Sequence, residues 1–362
     1  MDEAACKQAG AGVRLAARHA LGWLGFGNAV GLWLAVGLVW PALQLGEWTY
    51  GRWVPVHLNV QLYGWSALPL VAWLLHIYEV DRSKAAAWAP AAVWAWTAAL
   101  ALGVLHWLDG RTSGKVFIDW QGGSLWGLVA AMGILWLVLA AGWCERAAGW
   151  NPARRALAAI GLLGLAAVPA AMVGVASPAA YPPVDATTGG PTGASLLGST
   201  LVVVTLMMLL PWAGVMPWDW AGFTWPAETR VWRMAVFGWW GLLVLSGVAM
   251  YLPWVLDRVK FTQALVGHSH LAMAGFTTSF CALVLVALTG RPLGAWRSVA
   301  AWHGAVLVMI AVLAAMGWRE GGDLSWMAVT PIWRTAGLHL RATCGAVMLT
   351  ASLIWIKDWR MI

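Results

Sequence analysis

Charge is scarce in this chain. Asp, Glu, Lys and Arg make up 10% of its 362 residues, against 61% hydrophobic residues. A soluble domain carries about 25% charged residues, so a water-soluble globule is excluded. No Asp, Glu or Lys falls in the middle of any long apolar run. That argues against a proton pump or ion-coupled transporter, which carries ionisable groups in the membrane interior. Cysteine is sparse and scattered, at Cys6, Cys144, Cys281 and Cys344, with no CxxC or CxxCH. Neither a thiolate zinc site nor a covalently attached c-type heme is therefore expected. Histidine is missing between His106 and His268. A copper or non-heme iron centre normally takes several nitrogen or sulfur ligands, and this stretch offers no imidazole. No internal repeat is evident either.

What the chain does contain is apolar runs of about 20 residues, the length that crosses a bilayer. Ten spans are expected, at roughly 21–45, 56–78, 87–108, 121–143, 156–176, 194–213, 232–252, 264–289, 298–317 and 333–356. The fold class is all-α and polytopic. Residues 1–20 read as a polar N-terminal segment without a cleavable signal pattern. Residues 21–357 read as one transmembrane helical domain, with a proline- and glycine-rich loop at 177–193. With the N-terminus inside, 14 of the 22 Lys and Arg residues fall on the cytoplasmic side, so both termini are expected there. The net charge of +7 reflects this bias, and no nucleic-acid partner is implied. The 31 tryptophans suit the two membrane interfaces.

The stretch GHSHLAMAGF, Gly267 to Phe276, is the most informative. Each helical residue turns about 100°, so His268 and His270 point about 200° apart. They cannot comfortably share one metal ion, but each can face a different prosthetic group. His57 opens span 2 at the same expected depth. Two imidazoles at one depth on separate helices match the needs of a bis-histidine heme. His19, His76 and His106 read as interfacial, while His303 and His339 stay open between structural and ligand roles. Arg341 is the only charge clearly inside a span, about eight residues or ~12 Å into span 10 at 1.5 Å per residue. It reads either as a partner for heme propionates or as an arginine reaching to the interface.

Three segments resemble the catalytic subunit of heme–copper oxidases, nearest to the C-family (cbb-type) oxidases and nitric oxide reductases. They are VHLNVQLYGW from Val56, Thr112-Ser113-Gly114-Lys115, and KFTQALVGHSHLAMAGF from Lys260. The resemblance implies a reduced oxidase-like bundle in the bacterial cytoplasmic membrane. It implies that His57 and His270 bind a low-spin heme b and that His268 is the proximal ligand of a second, high-spin heme. The helices that carry copper ligands in that family find no histidine here, so no copper site is expected. Other membrane subunits and a periplasmic cytochrome or copper-protein electron donor are the implied partners. Three functions stand open: a heme-b subunit for electron transfer or gas binding, an active oxidase or nitric oxide reductase subunit, and a non-redox assembly factor or transporter.

Overall fold

An apolar run in lipid leaves its backbone amides no partner but the run itself, so each run coils into a helix. The computed structural model describes residues 9–43, 46–176, 225–250 and 252–360. Nine helices among these are long and apolar enough to cross a membrane. No strand occurs among them, and the protein is an all-α polytopic membrane protein. The expected span at 194–213 and the loop at 177–193 lie outside the described residues.

In chain order, α1 is Ala11–Val39. α2 is a composite of α-helical Tyr50–Asn59, π-helical Val60–Ser66 and α-helical Ala67–Ile77. α3 is Ala89–Leu108, α4 Gly122–Arg146 and α5 Pro152–Ala176. α6 is Arg230–Met250 and α7 the short Pro253–Val259. α8 is a second composite of Gln263–His270, π-helical Leu271–Thr277 and Thr278–Thr289. α9 is Trp296–Glu320 and α10 Ile332–Arg360.

α1 begins well before the expected residue 21, inside the segment read as a polar N-terminal segment. Its first turns bury Val13, Ala16, Ala17, Ala20 and Leu21 while Arg14 and Arg18 stay exposed. That is an amphipathic face at three- and four-residue spacing, and hydropathy alone hides it because small alanines alternate with arginines.

Contacts divide the chain into two compact units. The first holds the start of α1 with α2 to α5, and the second the rest of α1 with α6 to α10, apart from Leu288–Gly290. In the first, α3 packs along α4, α4 also meets α5, and α3 lines α2. In the second, α9 packs along both α10 and α8, and α6 covers the π segment of α8. Burial is uneven. The α2 span is 89% buried and the α8 span 67%, while no other described span exceeds 44%. A helix apolar on all sides belongs in the interior. The helix that carries His57 is thus the most buried span of its unit, and the one that carries His268 and His270 the most buried of the other.

The two units share one local arrangement around their π segments. His57, Gly64, Trp65 and Ser66 on α2 hold the same positions, relative to the π segment, as His268, Gly275, Phe276 and Thr277 on α8. A Cβ on Gly64 would stand 2.6 Å from Trp23 of α1, and one on Gly275 2.8 Å from Trp239 of α6. Trp23 Nε1 points at Thr97 Oγ1 of α3 at 3.5 Å, and Trp239 Nε1 donates to His303 Nδ1 of α9 at 3.0 Å. Arg52 donates to the Leu108 carbonyl ending α3, and Arg258 to the Trp318 carbonyl near the end of α9. Only a histidine and a glycine are identical between the two π stretches, and loop lengths shift the spacing from helix to helix. A linear comparison therefore has almost nothing to align.

Adding a methyl at either tight glycine forces an indole aside, which costs about 1–3 kcal/mol. Gly64→Ala and Gly275→Ala are expected to lower the thermal midpoint in detergent. Gly133→Ala on α4, where a Cβ meets nothing within 4 Å, is expected to be neutral or stabilising.

Candidate functional site

π-helical turns are rare and concentrate at functional positions. Among the described residues they occur on α2 and α8 alone, and each follows a histidine closely. His57 lies on α2 just ahead of Val60–Ser66, and His270 immediately precedes Leu271–Thr277. All three histidines are half-buried.

On α8 both rings are held through Nδ1. His268 Nδ1 lies 3.2 Å from Ser246 Oγ of α6, a hydroxyl that also reaches the Leu243 carbonyl at 3.2 Å. With the hydroxyl turned to Leu243, His268 Nδ1–H donates to Ser246; with it turned to the ring, Nδ1 accepts. His270 Nδ1 lies 2.8 Å from the Val266 carbonyl. A carbonyl only accepts, so His270 Nδ1 carries a proton. A neutral His270 thus has its lone pair on Nε2, the arrangement in which one nitrogen is anchored and the other is presented to a metal. Gly247, beside the His268 ring, leaves its edge clear: a Cβ there would approach only Cε1, at 3.9 Å. One ring is thus anchored on α6 and the other on its own helix, in keeping with the 200° divergence of the two positions. This donor set fits heme iron.

The other histidines differ. His303 Nδ1 accepts from Trp239, so its proton sits on Nε2, which is buried with no hydrogen-bond partner among the described residues. That nitrogen is a donor and not a ligand. His19 Nδ1 pairs with Thr97 Oγ1 at 2.6 Å. His76 and His339 are exposed, and His339 Nδ1 points at the Thr335 carbonyl at 3.2 Å. His106 lies in the last turn of α3 with a buried Nδ1.

Arg341 lies on α10 and donates to Gln263 Oε1, in the first turn of α8, at 3.1 Å. Gln263 precedes His270 by seven residues, two turns along the same face or ~10 Å. A network absent from the sequence reading holds this helix start. Glu320, the last residue of α9, is 1% exposed. Its Oε2 accepts from the Gln263 amide at 2.8 Å and its Oε1 from Arg334 Nε at 3.1 Å. A carboxylate at a helix N-terminus satisfies an orphan amide and complements the helix dipole. Neither sequence spacing nor hydropathy flags Glu320, since it follows a long apolar run and precedes Gly321-Gly322.

The first unit braces its histidine helix in a different way. Asn59, fully buried two residues after His57, donates from Nδ2 to Asp119 Oδ2 at 2.7 Å and to the Pro55 carbonyl at 2.8 Å. Thr112 donates to Asp119 Oδ1 at 2.6 Å. The Asp119 carbonyl accepts from Trp107 Nε1 at 2.8 Å. The TSGK stretch thus forms the near wall of this cluster. Ser113 donates to the Ile118 carbonyl, and Lys115, 1% exposed, donates from Nζ to the Val175 carbonyl. Burial lowers the Lys115 ammonium from its ordinary value. Burial raises the Asp119 carboxyl, against the opposing hydrogen bonds from Thr112 and Asn59.

No group of three or more His, Cys, Asp or Glu side chains able to hold a metal ion occurs among the described residues. An axial heme ligand needs no such group. No protein-family model matches the chain, and no curated protein matches it.

Asp119 yields a pH test. A carboxyl whose folded pKa lies above its unfolded value favours folding below the unfolded pKa, about 3.9. That contribution is lost as pH rises through the folded value. Asp119→Asn keeps an acceptor for Asn59 and cannot ionise. The loss of thermal midpoint between about pH 4 and pH 7 is therefore expected to be smaller in Asp119→Asn than in the parent.

Proposed function

We propose that this protein is a heme b-binding membrane subunit of a respiratory-type, oxidase-like complex that transfers electrons or binds a diatomic gas. His57 and His270 are the proposed axial ligands of a low-spin heme b, and His268 the ligand of a second heme. The observation that carries this reading is the pair His268 and His270. They leave opposite sides of one helix, and each is held through Nδ1, so that Nε2 is the ring nitrogen outside the anchor.

Heme supplies one-electron redox chemistry, and its open face, where one axial position is unfilled, takes small gases. The residues of this chain do the rest. Ser246 holds the His268 ring through Nδ1. The Val266 carbonyl holds His270 through one turn of the same helix. Glu320, Arg334 and Gln263 fix the start of that helix, and Arg341 adds a fixed cation there that suits a carboxylate. The proposal contains no copper centre, because the chain offers no histidine from His106 to His268. Its partners are other membrane subunits and a periplasmic cytochrome or copper-protein donor. Its place is the bacterial cytoplasmic membrane with both termini inside, in line with the lysine and arginine bias.

The test is the reduced-minus-oxidised absorption spectrum of protein purified from heme-replete cells. Sharp low-spin b-type bands are expected. They are lost in His57→Ala and in His270→Ala and kept in His268→Ala, which instead loses any carbon monoxide-sensitive component. A colourless preparation overturns the proposal.

A further inference from the structure

A π turn leaves a gap in the helix ladder. Where five-residue pairing returns to the ordinary four, one carbonyl is skipped. On α2 the Ala67 amide reaches back to the Leu62 carbonyl. The next α-helical bond belongs to Gly64, so the skipped carbonyl is that of Tyr63. On α8 the Thr278 amide reaches back to Met273. Ordinary pairing then resumes at Gly275, and the skipped carbonyl is that of Ala274. In each unit that carbonyl receives an indole N–H from the next transmembrane helix. Trp96 Nε1 of α3 donates to Tyr63 O at 2.8 Å, and Trp302 Nε1 of α9 donates to Ala274 O at 3.1 Å. Both rings are buried, at 4% and 1% exposure.

We infer that Trp96 and Trp302 are positioning residues: each indole takes the carbonyl skipped by a π turn and so fixes the rotation of the histidine-bearing half of its helix. A buried carbonyl without a partner costs about 1–3 kcal/mol, so without the indole the turn relaxes toward regular α-helical pairing. That relaxation removes one residue from the turn and swings the preceding segment by about 100°. The preceding segment carries His57 on α2 and both His268 and His270 on α8. Gly64 and Gly275 belong to the same device, because the bare backbone there lets Trp23 and Trp239 pack directly against the turn. Other tryptophans make indole–carbonyl bonds away from any π turn, such as Trp136 to Leu162 O at 2.8 Å. Trp136 is therefore the internal control.

The experiment compares Trp302→Phe with Trp136→Phe in the full-length protein, with Trp96→Phe as the counterpart in the first unit. Amide hydrogen exchange over Leu271–Ser279 is the heme-independent readout. It is expected to quicken by about tenfold in Trp302→Phe, the equivalent of one net hydrogen bond, and to stay at the parent rate in Trp136→Phe. The second readout rests on the heme reading: the low-spin electron paramagnetic resonance signal, set by imidazole orientation, is expected to shift in Trp302→Phe and Trp96→Phe with heme still bound. If Trp302→Phe does not fold, 3-benzothienylalanine at position 302 keeps the ring and removes only the N–H. Unchanged exchange in the π segment overturns the inference, as does an unchanged heme signal in heme-loaded variants. A parent protein without heme sinks the functional reading alone, and the exchange comparison still decides this one.

Discussion

A carbonyl that falls out of its helix ladder inside a bilayer has no water to turn to. Two such carbonyls, on Tyr63 and Ala274, mark the most buried span of each unit. Much of the surrounding packing can be understood as their accommodation. The neighbouring helix brings an uncharged donor, the indole of Trp96 or Trp302. The turn is bare where Gly64 and Gly275 meet Trp23 and Trp239. The abundance of tryptophan, at first sight an interfacial trait, thus has a second use in the interior.

The histidine pair depends on that frame. Successive turns of a regular helix would fix the angle between His268 and His270 but not the direction in which the pair faces. The π turn sets that direction, Ser246 holds the His268 ring, and the Val266 carbonyl selects the proton position on His270. Glu320 secures the other end of the segment by capping the first turn of α8. His268 and His270 therefore sit on an eight-residue helix, Gln263–His270, held at both ends.

Much of this was legible in the sequence. Apolar length gave the spans, because burying backbone in lipid permits nothing but helix. The divergence of His268 and His270 followed from the turn per residue. The start of α1 was missed because its alanine face carries little hydropathy beside Arg14 and Arg18. The brace at Asn59 and Asp119 was missed because the two residues lie 60 positions apart, and Glu320 because it acts through a backbone amide of another helix. The π turns could not be read at all. They arise from a tertiary contact, and nothing in VQLYGWS or LAMAGFT taken alone separates them from ordinary helix. The shared arrangement escaped for a related reason: what recurs is a set of contacts, made by different residues at drifting spacings.

Recurrence of the same contacts within one polypeptide makes each unit a yardstick for the other. A replacement at Gly64, Trp96 or Arg52 has its counterpart at Gly275, Trp302 or Arg258. The two designs part at one matched place, where Asn59 is tied to Asp119 in the first unit and His270 stands in the second.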